Sequence, residues 1–137
     1  MADPSATRDL FARWERVWHE RQNDLVSSCV ADTYIRHDEN GDRTVTRDEY
    51  AAELRQVHQG RPDIRVLIYD HTLTSDRAWF RFAFKWTDLS SGQQQSRAGM
   101  QAYRIEGGKL AETWIAMKPL GSTWDDKPQD SWTSPKC

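Results

Sequence analysis

The chain has no apolar run longer than a few residues, far short of the ~20 that a helix needs to cross a bilayer, so no membrane span is expected. Cysteine is scarce: Cys29 and Cys137 are the only two, and the second is the last residue. A disulfide-stapled scaffold is therefore excluded, and free thiols in a reducing cytoplasm are the expectation. No charge of one sign dominates. Nineteen Lys and Arg stand against 21 Asp and Glu, both signs interspersed, and the net charge is −2. Such a balance offers no field for nucleic acid or an anionic membrane. The aromatic residues are not interleaved with a basic stripe either, which argues against stacking on single strands. The start, MADPSATRDLFARW, lacks a basic stretch followed by an apolar one, so no signal peptide is expected. The spacings H-x-H, H-x₃-H and C-x₂-C are missing, as are a Gly-rich phosphate loop, a G-x-S-x-G elbow and a Cys beside a His. No metal and no cofactor are expected from such a chain.

What the sequence does hold is tryptophan, seven in 137 residues, a size that suits one domain with a real core. Residues 4–20 have helical spacing through Leu10, Phe11, Trp14, Val17 and Trp18, with Asp3 as the cap and Pro4 at the first helical position. Asn23 restarts a short helix whose apolar face is Leu25, Val26, Cys29 and Val30. Thr33 to His37 is short and β-prone, and Asp38 to Asp42 reads as a turn. Thr46-Arg47-Asp48-Glu49 is a capping box, opening a third helix with Tyr50, Leu54, Val57 and His58 inward, stopped by Gly60 and Pro62. From residue 64 the period changes to two, and strands are expected at 64–71, 78–87, 95–105 and 109–118. Pro119 ends the sheet. Residues 1–119 thus form one α+β domain and 120–137 an extended tail, with Trp124 and Trp132 as anchors.

Three segments carry a family resemblance. Tyr34-Ile35-Arg36-His37 looks like the Y-I-x-H segment of SnoaL-like proteins, and Pro62-Asp63-Ile64-Arg65 resembles their P-D-hydrophobic strand start. Glu106 to Trp114, EGGKLAETW, is similar to their G-G-K-hydrophobic-x-E-x-W stretch. Together with the element order, they make the chain resemble the SnoaL-like polyketide cyclase and isomerase branch of the nuclear transport factor 2 superfamily over about residues 5–118. The resemblance implies a cone-shaped barrel, three N-terminal helices on a strongly curved, mostly antiparallel sheet of four to six strands. It also implies a homodimer formed through the sheet face.

The activity it implies is cofactor-independent proton transfer, as in a cyclase, isomerase or lyase, on an apolar polycyclic or aromatic carbonyl compound. A non-catalytic binder of hydrophobic small molecules is the alternative. Such chemistry needs a base and an oxyanion donor inside a dry cavity. His37 is a candidate base at the end of a short strand. Asp38 is the other, since it aligns with the general base of ketosteroid isomerases. Adjacent strand residues point to opposite faces, so the two should not both enter the cavity. Trp14 stands where those isomerases have their donor tyrosine, and Gln101 near their second Asp. Glu112 and Trp114 share one face of the last strand, where Glu112 is either a base or an arginine's partner and Trp114 either a cavity wall or part of a dimer face. Tyr34, Tyr50, Phe82 and Trp86 complete the expected binding surface. One departure stands out: SnoaL-like cyclases often carry an Asp a few residues after E-x-W, and this chain has Ala116, Met117 and Lys118 there.

Overall fold

The structure, a computed structural model, describes residues 4–134. Asp3 and Cys137, named above as a helix cap and a terminal thiol, lie outside the described residues. Helix α1 (Ser5–Glu20) begins one residue after Pro4, which occupies the N-cap position rather than the first helical turn. Its buried stripe is Thr7, Leu10, Phe11, Trp14 and Val17. Arg21, in a left-handed conformation at φ 56°, ends the helix, and a 3₁₀ turn at Asn23–Leu25 leads into the single turn of α2 (Val26–Cys29). Helix α3 (Arg47–Gly60) carries the complete capping box: the Glu49 amide donates to Thr46 Oγ1 at 3.1 Å and the Thr46 amide to Glu49 Oε1 at 2.8 Å.

Six strands follow the order β2-β1-β6-β5-β4-β3. They are β1 (Val30–Asp38), β2 (Gly41–Thr46), β3 (Arg65–Leu73), β4 (Arg77–Thr87), β5 (Gln94–Glu106) and β6 (Lys109–Met117). All neighbours are antiparallel except β1 and β6, which run parallel. Two readings of the sequence need correction. Val30 is the first residue of β1, not the last of a helix, and its ladder partner is Leu110. The Asp38–Asp42 turn is tighter than expected, because Gly41 already starts β2 and Asp42 pairs with His37. Strand β2 is an edge whose one buried residue is Val45, so its polar alternation left little apolar period to read.

Register breaks between Ile68 and Asp70, between Arg104 and Ile105, and between Val30 and Ile35 curl the sheet around the helices. Two sites demand glycine. Gly107 and Gly108 both have positive φ (59° and 74°), as a tight β5–β6 hairpin requires. At Gly99 a Cβ would meet Met117 Sδ at 2.7 Å and the Ala116 carbonyl at 2.9 Å, so only a bare backbone lets these strands close. On the concave side Phe11 packs on Phe80 (4.7 Å) and Tyr103 (5.0 Å), and Trp14 stacks on Tyr50. Burying each such ring stabilises the fold by about 1.5–3 kcal/mol.

The chain after β6 works on both faces. Trp124 lies on the convex side against Tyr69, Ala83 and Ala98, its indole N–H donating to the Phe82 carbonyl at 2.8 Å. The Gln129 amide then donates to the Ile68 carbonyl on the free edge of β3. Trp132 ends in the concave core, its indole N–H on the Val66 carbonyl at 2.8 Å and its amide on Glu15 Oε1.

Candidate active site

The helices leave part of the cone open as a cavity of about 540 Å³, within the few hundred to a thousand Å³ usual for small-molecule sites. Its walls are apolar and aromatic, with Phe82, Phe84 and Trp86 from β4, Tyr103 from β5, and Trp18 and Trp132 closing the helix side. Strand alternation decides which polar groups enter. On β1 the even residues Tyr34, Arg36 and Asp38 turn inward, so His37 must turn outward.

Asp38 and Arg36 are the charged pair of the interior. The Asp38 side chain is only 11% exposed, and its Oδ2 lies 3.7 Å from Arg36 Nε and 3.5 Å from Arg43 Nη2. Its Oδ1 accepts from the Asn40 amide at 2.9 Å, which fixes the carboxylate at the strand end. Arg36 Nη1 donates to the Tyr50 hydroxyl at 3.1 Å, and the guanidinium lies over the Tyr50 and Tyr34 rings at 4.7 and 5.4 Å. Its Nε is buried without a hydrogen-bond partner among the described residues. Burial pushes the Tyr34, Tyr50 and Tyr103 hydroxyls above their ordinary pKa, so all three stay protonated donors at neutral pH. Gln101 also faces the cavity, its amide donating to Thr113 Oγ1 at 2.7 Å.

The remaining expected residues separate into two groups. Trp14 and Tyr34 are sealed behind the cavity, 1% and 0% exposed; Trp14 stacks on Tyr50 at 6.1 Å, and Tyr34 meets the same ring edge-on at 5.0 Å. They support the wall rather than form it. His37, Glu112 and Trp114 sit together on the convex face. His37 Nε2 lies 2.6 Å from Glu112 Oε2, its Nδ1 lies 2.8 Å from Asp42 Oδ1, and its ring stacks on Trp114 at 5.3 Å. Hydrogen bonds first from Glu112 and then from Asp42 raise the His37 pKa, and Glu112, held by His37 and by Arg104 at 3.0 Å, is lowered. Of the candidates, then, Asp38, Tyr50, Phe82, Trp86 and Gln101 share the cavity.

Sequence reasoning missed Arg36 as a site residue. Its signal was present, since it has the parity of Asp38 on one short strand. It also missed Trp18 and Trp132, whose place depends on how helix and tail pack. Among the described residues no three His, Cys, Asp or Glu side chains gather as metal ligands, and no helix is long and apolar enough to cross a membrane.

The family profile of SnoaL-like polyketide cyclases matches residues 8–122, most of the chain. Among solved structures, TsrD from Streptomyces laurentii superimposes with a TM-score of 0.73 at 18% identity, covering 86% of this chain and 92% of that one. A SnoaL-like polyketide cyclase from Agrobacterium tumefaciens superimposes at 0.69 with 15% identity, covering 80% and 89%. At these identities the likeness shows the fold. No curated protein matches the chain.

Proposed function

The chain belongs to the SnoaL-like polyketide cyclase family, and from that premise we propose that it is a cofactor-independent proton-transfer enzyme of the cyclase or isomerase type, acting on an aromatic or polycyclic carbonyl compound. One observation carries the reading: a fixed carboxylate, Asp38, and a buried guanidinium, Arg36, stand side by side in a cavity whose deeper walls are largely apolar and aromatic. Asp38 Oδ2 takes a proton from the carbon next to the substrate carbonyl. The electron pair moves onto the carbonyl oxygen, where the N–H groups of Arg36 meet the developing oxyanion. Tyr50, which accepts from Arg36 Nη1, keeps its own O–H to donate toward the same charge. The enolate carbon then forms a new C–C bond to a second carbonyl, or is reprotonated elsewhere, and Asp38 returns its proton to the product. Excluding water makes each contact stronger than it would be outside.

The base is thus assigned to Asp38 rather than His37, because the latter faces away from the cavity. Asp38→Asn keeps the shape and the Asn40 contact but removes the base. It should lower kcat about 10²–10⁴-fold with ligand affinity little changed, measured by steady-state turnover beside a binding titration. Full turnover in that variant would remove Asp38 from the mechanism. The alternative, a binder without catalysis, draws on the stretch Ala116-Met117-Lys118, which supplies no carboxylate to the β6 side of the cavity. It predicts ligand affinity with no turnover even before substitution.

The convex face fits a second copy of the chain. Trp114 and Met100 are 42% and 41% exposed there, beside Ala102 and Ala116.

A further inference from the structure

The charged groups at the rim of the cavity are matched with one exception. Arg97 is clamped by Glu39 in a two-pronged pair at 2.8 and 2.7 Å. Glu53 is held the same way by Arg43 at 2.9 and 2.8 Å. Asp38 lies between Arg36 and Arg43. That leaves Arg61, which makes no ion pair and no side-chain hydrogen bond among the described residues. The nearest acid along the chain, Asp63, is spent on Thr87, accepting from its amide at 2.9 Å and its hydroxyl at 2.5 Å.

Arg61 is nevertheless placed. It follows the last residue of α3, where the helix dipole favours a cation. Its Cζ lies 4.0 Å from the centroid of the Trp86 ring, and both residues line the cavity. A guanidinium lying on an indole presents its N–H groups edgewise, in the plane where a carboxylate accepts two of them. Trp86, itself 6% exposed in the cavity wall, fixes the cation. The rim therefore has a positioned, unspent fork donor at the mouth of an aromatic cavity whose other charges cancel.

We propose that the ligand of this cavity is an aromatic or polycyclic monocarboxylate, its ring system inside the cone and its carboxylate on Arg61. This rests on the reading of the cavity as a small-molecule site and names the class of molecule it takes. Arg61 is a binding residue in this assignment, separate from the proton-transfer pair at Asp38 and Arg36.

The test uses a matched pair of probes, 2-anthracenecarboxylate and the neutral ketone 2-acetylanthracene, titrated against the full chain by fluorescence at pH 7 and low salt. The carboxylate should bind about tenfold more tightly than the ketone, the difference expected for one charge-assisted fork contact. Arg61→Gln should bring the two affinities together by weakening the acid alone. Arg61→Lys should keep part of the preference, because the charge stays while the planar fork is lost. Salt should narrow the gap in the wild type and leave it unchanged in Arg61→Gln. Equal affinity for both probes in the wild type, or a preference that survives Arg61→Gln, overturns the proposal while leaving the cavity reading in place. Failure of both probes to bind overturns the two together. The Asp38→Asn turnover result is independent of either outcome.

Discussion

Histidines show how differently one side chain behaves in two settings of this fold. His37 lies between two carboxylates at the convex surface and is pushed toward its charged form. His19 is buried, and its Nε2 accepts the Val66 amide at 3.0 Å, a bond only the neutral ring can make. Burial first, and then the nearby Arg65, lower its pKa to about 4. The sign follows from the unfolded chain, where an ordinary histidine titrates near pH 6.5. Between those values the unfolded state binds more protons. The stabilisation is complete above about pH 6.5, falls as the pH drops toward 4, and is gone below it. His58, lowered mainly by burial, acts in the same direction. Urea midpoints at pH 7, 5.5 and 4 should therefore fall more steeply for the wild type than for His19→Gln. Parallel slopes would mean that His19 titrates normally in the fold.

At the scale of elements, the segment after β6 has the largest consequence for its length. It crosses the free edge of β3 and plugs Trp132 into the gap between α1 and β3. That side chain is 5% exposed, belongs to the main core and walls the cavity, although it lies beyond the residues the family profile matches. Trp132→Ala should cost about 3–5 kcal/mol, the range for a large buried ring, and lower the melting temperature by on the order of 10 °C. Trp124→Ala, on the convex side and less buried, should cost clearly less. Equal small losses in both variants, read by calorimetry, would show the segment to be an ornament. Elements with a strong local signature were legible from sequence alone: the Thr46–Glu49 capping box, the Phe80-Phe82-Phe84-Trp86 alternation, the paired glycines of the last hairpin. Strand β2 was not, because an edge strand with one buried residue has almost no period. Val30 was misread because a valine that ends an apolar helical stripe and one that begins a strand look alike. Tail anchoring was expected at Trp124 and Trp132, but nothing in the sequence says that they grip opposite faces.

At the scale of the whole molecule, the two faces of the sheet divide the labour. Strand parity already required His37 and Asp38 to part. Which of them faces the cavity depends on the side that the helices cover, a long-range fact no local pattern contains. The same choice sends Glu112 and Trp114 outward and leaves a partly apolar surface around Trp114 and Met100. If a second copy covers it, light scattering should give twice the chain mass. Trp114→Glu, placing a further carboxylate beside Glu112, should give the monomer with the cavity intact. A wild-type monomer at tens of micromolar would end the assignment of this face to self-association.

The parallel pairing of β1 with β6 bears on how the chain is made. Apart from its hairpin partner β2, the strand at 30–38 has its sheet neighbour at 109–117, so during synthesis the first hairpin waits for most of the chain before the strand that joins it to the meander is made. The meander β3-β4-β5 can assemble as it emerges, since each strand finds its partner in the one just made. The strand that carries Arg36 and Asp38 is therefore among the first to leave the ribosome and among the last to be seated, a long-range closure of the kind that makes folding slow.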